Sequence, residues 1–536
     1  MRTLPSSLRR LAPGLAALLL AACVESPTAP AAPSLESVGS TAGASAVYTG
    51  SIRIGVVPSA SSVTVGSAGS WVLRDAVSSA ELLAGSGDAA TVTFQGVISK
   101  FRLQVVCGSS AAVAAWKASA QAQGYVTYTE FVPSANCTRL FIGEFASNAS
   151  FSVRNAFRNE LLAKGLAKTD SFWKVVGQGT PTYTVTRGAD ALQTPNPVTL
   201  TSSTGIVTIA GRSYRGTALV TVNGGGTLAG VNVLPMEQYL YGVVPAELSP
   251  VIWPQKEAIK AQAVAARTYA LSGLGKRGAD GYDLLATTAD QVYGGLAFER
   301  EMSNEAVDET AGMVATYEGK LISALYSSTS GGHTADNEES FNSSAVPYLR
   351  GVPDAERGNA LEHVPTLEVF RAHGNARSLR GVHAGQFETD WASRHRWTFE
   401  WTAAQMAQVA SAHAGQDVGA VHAVNVLERG PSGRALRLEF VTDAGNFYAT
   451  RDAIRAALKY FPTPNTMSNL PSTLFFIEPM LDARTNEVEG FRVFGGGFGH
   501  GVGLSQTGAV GMAEKGHSFE EILKHYYRGI ELTQWY

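Results

Sequence analysis

The sequence predicts an α+β protein that is rich in strands and contains more than one domain. Short segments in which apolar and polar residues alternate, such as residues 51–57, predict strands with one buried face. The alanine-rich segment 111–123 and the segment 255–272, whose apolar residues recur along one stripe, predict helices. A chain of 536 residues is long enough for roughly two to four domains.

The overall charge excludes one class of partner. A formal net charge of −3 provides no general electrostatic attraction to nucleic acid or to anionic lipid. We therefore expect no nucleic-acid partner.

The first 23 residues have the pattern of an export signal. Positively charged residues precede the apolar run 15–22, which is too short to span a bilayer as a helix. The end of this run, Leu20-Ala21-Ala22-Cys23, resembles a bacterial lipobox, which would make Cys23 the lipidated first residue of the mature chain. The alternative is an ordinary signal peptide with an incidental cysteine. Residues 24–47 are rich in Ala, Pro and Ser and predict a flexible linker.

If Cys23 carries lipid, two cysteines remain. An exported compartment favours a disulfide between Cys107 and Cys137. The alternative is two independent buried thiols.

Strands are also predicted at 62–65 and 90–94, and residues 98–178 then contain two successive strand–helix–strand patterns. The predicted elements are strands at 101–106, 125–131, 139–143 and 171–176 and helices at 111–123 and 152–164. This pattern, with Arg102-Leu103-Gln104-Val105 and the segment 139–145, resembles the SPOR domain. The resemblance implies an inserted ferredoxin-like β-α-β module that binds peptidoglycan glycan strands lacking stem peptides. A ferredoxin-like insert without a ligand is the alternative.

After this module the strand pattern returns at 205–216 and 227–233. Residues 240–244 are predicted to form a further apolar strand, followed by a short loop with Glu247 and by the helix 255–272. A carboxyl group in such partly apolar surroundings can keep its proton near neutral pH, as a general acid must. The alternative is a structural carboxylate at the start of a helix, favoured by the helix dipole.

The helix 255–272 carries Lys256, Lys260 and Arg267 on roughly one face. For the two lysines a solvated edge is the simpler interpretation. Arg267 is a candidate for contacting substrate or orienting Glu247.

Two later segments contain further candidate residues. Residues 324–334 change abruptly from apolar to hydroxyl-rich, which suggests a sugar-binding loop with Tyr326, Ser327 and Ser330. Residues 495–506 surround His500 and Gln506 with glycines, which allow the backbone to approach a bulky ligand closely. The glycines follow neither the dinucleotide nor the P-loop spacing, so a nucleotide is not expected. Helices are predicted at 507–515 and 518–527.

The segments 234–248, 258–271 and 495–506 together resemble the family of stage II sporulation protein D (SpoIID) and the LytB amidase enhancer. The resemblance implies one SpoIID-like catalytic domain formed by residues 48–97 and 179–536, interrupted by the module. It also implies that Glu247 is the catalytic acid of a lytic transglycosylase, which cleaves denuded glycan strands and leaves 1,6-anhydro-muramic ends. The alternative within the family is a non-catalytic protein that binds glycan and stimulates a cell-wall amidase.

Some members of this family bind a metal near the segment that here spans residues 286–295. This chain has no histidine or cysteine there, so we expect neither a metal site nor any other cofactor. Residues 356–396 match no pattern that names a ligand. The expected protein is an exported lipoprotein that is membrane-anchored and faces the periplasm or cell wall, with the outer membrane as one location.

Overall fold

The computed structural model describes residues 50–96, 98–146, 148–178, 180–356, 367, 386–388 and 391–536. The predicted signal peptide with Cys23, the linker 24–47 and most of residues 356–396 lie outside the described residues. In the described part of the chain, no helix is long and apolar enough to cross a membrane. The strand-rich α+β class is confirmed.

Two sheets share the largest hydrophobic core. The seven-stranded sheet is antiparallel except for its first, parallel pair, and its strands in spatial order are Leu284–Leu285, Ile52–Ala60, Leu228–Leu234, Thr217–Val222, Val198–Ser202, Ser70–Asp75 and Glu81–Ser86. The six-stranded antiparallel sheet is ordered Asp190–Thr194, Thr182–Arg187, Ala89–Gln95, Ser62–Gly66, Ile206–Ile209 and Arg212–Arg215. Alternating residues such as Val63, Val65 and Val92 point into the core, as the period-two pattern predicts.

A layer of helices continues this core. Its central helix, Lys256–Ser272, confirms the predicted helix and is buried on most sides. Four other helices pack in this layer: Met236–Glu247, Glu301–Glu309, Gln506–Glu514 and Phe519–Tyr526. Ser518 caps the last of them through its hydroxyl, as the sequence of its first turn predicts.

The expected strand at 240–244 is wrong, because these residues belong to the helix Met236–Glu247. Apolar side chains recur there at Met236, Tyr239, Leu240, Val243 and Val244, which is the three- and four-residue spacing of a buried helical face. Pro245 in the last turn obscured this periodicity. A proline near the end of a helix removes one backbone donor, and the helix closes two residues later.

Residues 98–178 form the predicted β-α-β-β-α-β pattern. Its antiparallel sheet is ordered Thr127–Val132, Cys137–Ala146, Ile98–Gly108 and Phe172–Gln178, with the helices Ser110–Ala122 and Phe151–Ala163. The flanking strands Ala89–Gln95 and Thr182–Arg187 pair with each other. Cys107 and Cys137 form a disulfide, with their Cα atoms 5.6 Å apart.

A second large core lies within residues 397–493, where the sequence predicts only a continuation of the SpoIID-like domain. Two three-stranded sheets surround it. The strands of the first are, in spatial order, Trp397–Thr402, Val488–Gly495 and Phe475–Leu481. Those of the second are Val421–Arg429, Ala435–Thr442 and Gly445–Thr450. The helices Ala403–Ala414 and Ala453–Ala457 and the hairpin Tyr460–Thr463 with Thr466–Ser468 complete this unit.

The remaining short elements connect these units. They are the sheet Lys320–Leu321, Met313–Tyr317 and Glu531–Gln534, the parallel pair Tyr326–Ser327 and Leu504–Ser505, and the helix Asn337–Ser340. The parallel pair brings the hydroxyl-rich segment and the glycine-rich segment side by side.

Candidate active site

Glu247 is the last residue of the helix Met236–Glu247. Leu248 ends the helix by donating its backbone N–H to the carbonyl oxygen of Val244 (2.8 Å). Glu247 keeps partial solvent exposure, whereas Leu248 and the preceding turn, Val243–Pro245, are buried. Glu247 therefore sits at the edge of an apolar core and is itself only partly buried.

The surroundings of Glu247 favour its protonated form. Burial raises its pKa from 4.5 to about 7, although hydrogen bonds from Val292, Gln506 and Tyr326 act in the opposite direction. The backbone N–H of Val292 donates to Oε1 at 2.7 Å, and Nε2 of Gln506 lies 3.5 Å from Oε2. A carboxyl group with this pKa is present in both protonation states at neutral pH.

Gln291 orients the tyrosine hydroxyl beside Glu247. Its Oε1 accepts a hydrogen bond from the Tyr239 hydroxyl (3.2 Å), so its Nε2 faces the Tyr326 hydroxyl (2.9 Å) and the carbonyl oxygen of Ala266 (3.2 Å). The Tyr326 hydroxyl accepts from Gln291 and is thereby left to donate to Glu247. Burial and the charge of Glu247 raise the pKa of Tyr326 well above its usual value, so this hydroxyl stays protonated.

Gln506 reaches Glu247 from the opposite segment. It is the first residue of the helix Gln506–Glu514, and its Nε2 also lies 3.3 Å from Oε1 of the buried Gln262. The sequence prediction thus named Glu247, Tyr326 and Gln506, which the structure brings together. It did not name Gln291 or Gln262.

Both missed glutamines carry a signal in the sequence. Gln262 lies among the apolar positions of a helix that is otherwise dominated by alanine and valine on its buried faces. Gln291 stands between Asp290 and the apolar Val292-Tyr293 in a segment that the sequence analysis considered only for metal ligands. A polar side chain at a buried position requires partners, which makes such positions candidates for a polar network.

The glycines of residues 495–506 allow a close approach between two protein segments, and the approach to a ligand that the sequence suggested stays a prediction. Gly497, Gly499, Gly501 and Gly503 all have positive φ angles. A Cβ atom at Gly503 would lie 2.1 Å from the carbonyl oxygen of Leu325. The glycines therefore let this segment pack directly against the chain around Tyr326.

His500 supports the backbone of the site. Burial lowers its pKa to about 4, so the imidazole is neutral at pH 7. Its Nδ1 accepts the N–H of Val502 (3.0 Å), and the ring also hydrogen-bonds the backbone of Tyr326. The ring packs beside Phe341, with the centroids 5.3 Å apart. In this arrangement His500 contacts Tyr326 and not Glu247.

Arg267 does not have the position expected from the sequence. Its side chain is fully buried and pairs with Glu237 through Nε–Oε1 (3.0 Å) and Nη2–Oε2 (2.5 Å). It also donates to the carbonyl oxygens of Val307 (3.2 Å) and Met313 (3.1 Å). A side chain without exposure cannot contact a polymer, so the substrate-facing interpretation is replaced by an internal ion pair.

Ser327 and Ser330 are also buried, which corrects their expected role in binding substrate. Ser327 pairs with Ser505 in the parallel strands. The Ser330 hydroxyl donates to Asp354 Oδ2 at 2.6 Å, and its backbone N–H donates to Glu388 Oε1 at 2.6 Å. Ser330 thus faces the interior behind the site.

Among the described residues, no group of three or more His, Cys, Asp and Glu side chains has an arrangement that could hold a metal ion. The side chain of Asp290, which directly precedes Gln291, has no solvent exposure and pairs with Lys276 (2.6 Å) and Arg277 (2.8 Å). Its oxygens also accept the N–H of Leu285 (2.9 Å). The Asp290 carboxylate is therefore already paired within the fold.

Comparison with known families matches two parts of the chain. A family model described as Stage II sporulation protein matches residues 224–317, which include Glu247 and the helix Lys256–Ser272. A second model, described as a Domain of unknown function (DUF8618), matches residues 335–503, which include the second core. Neither match includes residues 98–178, so the SPOR-like character of the module stays a prediction.

Three curated relatives align over more than half of the chain. An uncharacterized protein of Brachyspira hyodysenteriae is 31% identical over 329 residues, which cover 61% of this chain and 74% of that protein. The amidase enhancer of Bacillus subtilis is 32% identical over 317 residues, which cover 55% of this chain and 40% of that protein. Stage II sporulation protein D of Bacillus amyloliquefaciens is 28% identical over 319 residues, covering 57% and 76%. Together with the geometry around Glu247, these matches establish that the chain belongs to the SpoIID/LytB family.

Proposed function

We propose that this protein acts on the bacterial cell wall as a peptidoglycan lytic transglycosylase, with Glu247 as its only acid and base. The observation that carries the proposal is Glu247, a partly exposed residue whose carboxyl group receives donors from Val292 and Gln506 and whose pKa is raised by burial to about 7. A general acid with such a pKa is protonated in a large fraction of molecules at neutral pH and gives its proton up readily during bond cleavage.

In the first step, protonated Glu247 gives its proton to the glycosidic oxygen as the bond between this oxygen and the anomeric carbon breaks. Glu247 becomes a carboxylate, and its donors are already in position. The N–H of Val292, the hydroxyl of Tyr326 and the amide of Gln506 all favour the charged form. They therefore stabilise the negative charge that develops in the transition state.

In the second step, the Glu247 carboxylate takes the proton of the C6 hydroxyl of the same muramic acid, while O6 forms a bond to the anomeric carbon. The product has a 1,6-anhydro end, and Glu247 is protonated again. The sugar supplies its own nucleophile, so this reaction needs one carboxyl group, whereas most hydrolases use two. This fits the surroundings of Glu247 in the described chain, where the neighbouring Asp290 is held by Lys276 and Arg277.

The module of residues 98–178 is proposed to bind glycan strands that lack stem peptides. Its sheet carries cation–aromatic pairs: the guanidinium of Arg102 lies 3.4 Å from the ring centroid of Tyr128, and Nζ of Lys174 lies 5.7 Å from that of Phe141. Removal of a stem peptide leaves a free lactyl carboxylate on muramic acid, which would compete for these cations with their present partners, Glu144 for Arg102 and Glu130 for Lys174. Lipidation at Cys23 would hold both units in the cell envelope.

A second candidate function is stimulation of a cell-wall amidase without catalysis. One observation favours it: the relative with 32% identity is named an amidase enhancer. The chain spans only 40% of that relative, so the enhancer's partners and activity do not transfer directly.

Mass spectrometry of glycan products after incubation with the purified protein separates these candidates. Denuded strands should yield anhydro-muramic products with the native protein and none with Glu247→Gln. The absence of products from any glycan, combined with faster turnover by an added amidase, would favour the enhancer.

A further inference from the structure

Behind the Glu247 site lies a second polar cluster, centred on two carboxyl groups. The side chains of Asp354 and Glu388 have no solvent exposure, so neither can contact a glycan strand. Buried carboxyl groups are costly unless several donors surround them. Their partners therefore indicate what they do.

Glu388 accepts hydrogen bonds from two separate segments of the chain. Its Oε1 accepts the backbone N–H of Ser330 (2.6 Å) and lies 2.5 Å from the Ser505 hydroxyl and 3.0 Å from that of Thr507. Its Oε2 accepts the backbone N–H of Gly331 (2.9 Å). One carboxylate thus joins the segment that follows Tyr326 to the segment that contains Gln506.

The donors around Glu388 keep it charged, and its charge in turn keeps Asp354 protonated. Burial and the negative charge of Glu388 raise the pKa of Asp354 well above its usual value. Burial would also raise the pKa of Glu388, but His395, the Ser505 hydroxyl and the Ser330 N–H lower it to about 2. The pair therefore holds one proton, on Asp354, and one negative charge, on Glu388.

Asp354 connects this cluster to the helices Phe519–Tyr526 and Gln506–Glu514. Its Oδ1 accepts the Tyr526 hydroxyl and its Oδ2 the Ser330 hydroxyl, each at 2.6 Å. A Cβ atom at Gly508 would lie 2.4 Å from Asp354 Oδ1, so the helix that begins with Gln506 packs directly against this carboxyl group.

We propose that Glu388 is a positioning residue for the Glu247 site, which fixes the distance between the segments carrying Tyr326 and Gln506 so that both side chains reach the Glu247 carboxyl group. Only the expected effect of Glu388 on catalysis rests on the proposed function; its effect on the pKa of Glu247 does not. Tyr326 lies four residues before Ser330, and Gln506 directly follows Ser505. Movement of either segment away from Glu388 would withdraw a donor from Glu247.

The substitution Glu388→Gln tests this inference because it preserves size but turns one acceptor oxygen into a donor. At least one of the donors around Glu388 then meets an NH₂ group, and the two segments should shift relative to each other beside their parallel pairing. Loss of the Tyr326 or Gln506 hydrogen bond should raise the pKa of Glu247 by about one unit, the equivalent of one hydrogen bond to a carboxylate. Under the proposed function, kcat should fall about tenfold with little change in KM.

The direct measurement is the titration of Glu247 by carbon NMR in the substrate-free protein, with its resonance assigned by its absence in Glu247→Gln. Glu339→Gln is the matched control, because Glu339 is another buried carboxylate whose donors, Ser432 and Asp336, lie outside both segments. The inference is supported if the pKa of Glu247 rises in Glu388→Gln and does not rise in Glu339→Gln. An unchanged or lowered pKa, or the same change in both variants, would overturn it.

If Glu388→Gln does not fold, Thr507→Val offers a milder test, because it removes, without changing the size of the side chain, a hydroxyl that lies 3.0 Å from both Glu388 Oε1 and the carbonyl oxygen of Ser328 in the other segment. Thr310→Val, which removes a buried hydroxyl that donates to Ala306, is its control. The pKa of Glu247 should rise in Thr507→Val and stay unchanged in Thr310→Val. The titration needs no turnover, so a protein that cleaves no glycan but shows the expected titrations would refute the proposed function and leave the positioning role intact.

Discussion

Replacing Glu247 with glutamine should stabilise the protein, and by an amount that depends on pH. The folded state holds the Glu247 proton up to about pH 7, whereas an ordinary glutamate releases it near pH 4.5. As pH rises between these two values, the unfolded chain gains a favourable ionisation that the folded chain lacks. The native protein therefore loses stability over this window, and Glu247→Gln, which does not titrate, does not.

The magnitude follows from the size of the pKa difference. A shift from 4.5 to about 7 corresponds to about 3 kcal/mol above pH 7, and to about 1 kcal/mol at pH 5, where Glu247 is still protonated in the folded state. The advantage of Glu247→Gln should thus grow by about 2 kcal/mol from pH 5 to pH 8. New hydrogen bonds of the amide do not depend on pH and cancel from this difference.

Denaturant unfolding of both proteins at pH 5 and pH 8, followed by tryptophan fluorescence, measures the effect. Glu309→Gln is the control: hydrogen bonds from Lys256 and Lys260 lower the pKa of the exposed Glu309 to about 2, so this group is ionised in the folded protein at both pH values, and the stability difference between native protein and Glu309→Gln should be nearly the same at pH 5 and pH 8. A stability difference between native protein and Glu247→Gln that stays constant with pH would refute the claim that Glu247 is held protonated.

Three other predictions concern the hydroxyl beside the acid, the module and the anchor. Tyr326→Phe removes a donor to the Glu247 carboxylate, so kcat should fall about 10- to 100-fold. The native protein should lose activity above about pH 7, where Glu247 loses its proton, and a pH–rate profile of the variant should show this loss at a higher pH. Excision of residues 98–178 with a short Gly/Ser linker should weaken binding to denuded sacculi in a pelleting assay while preserving turnover of saturating soluble glycan, because the module raises the local concentration of substrate; equal binding would exclude the module as the glycan reader. Cys23→Ser should move the protein from the membrane fraction to the soluble fraction on immunoblots, because lipid chains supply the expected anchor; quantitative retention on membranes would argue against lipidation.

Local patterns in the sequence predicted most of the individual elements around the site. The helix Lys256–Ser272 and the strands and helices of residues 98–178 were found because their periodicity and glycine stops are local properties. The helix Met236–Glu247 was mistaken for a strand, since Pro245 interrupts an otherwise helical spacing. The unit within residues 397–493 was missed because it is defined by contacts between distant strands, which periodicity does not reveal.

For the site, the residue types were easier to predict than their orientation. Glu247, Tyr326 and Gln506 come together although 259 positions separate the first from the last. Arg267 and Ser330 belong to the same motifs but face the interior, where they serve Glu237 and the Asp354–Glu388 pair. A motif names a segment, whereas the direction of each side chain depends on the tertiary packing of that segment.

The partners of the buried residues could not be inferred from the sequence at all. Glu388 lies in the stretch 356–396 that matched no pattern, yet it contacts segments more than 55 residues before it and more than 115 residues after it. Such connections arise only when the chain is folded.

The most direct test of the central claim is the structure of the products that the purified protein releases from denuded glycan strands. Mass spectrometry should detect fragments with 1,6-anhydro-muramic ends, each lighter by one water than the product of hydrolysis, and the folded Glu247→Gln variant should release none. Reducing ends without the anhydro bridge, or undiminished anhydro products from Glu247→Gln, would contradict a transglycosylase that depends on Glu247.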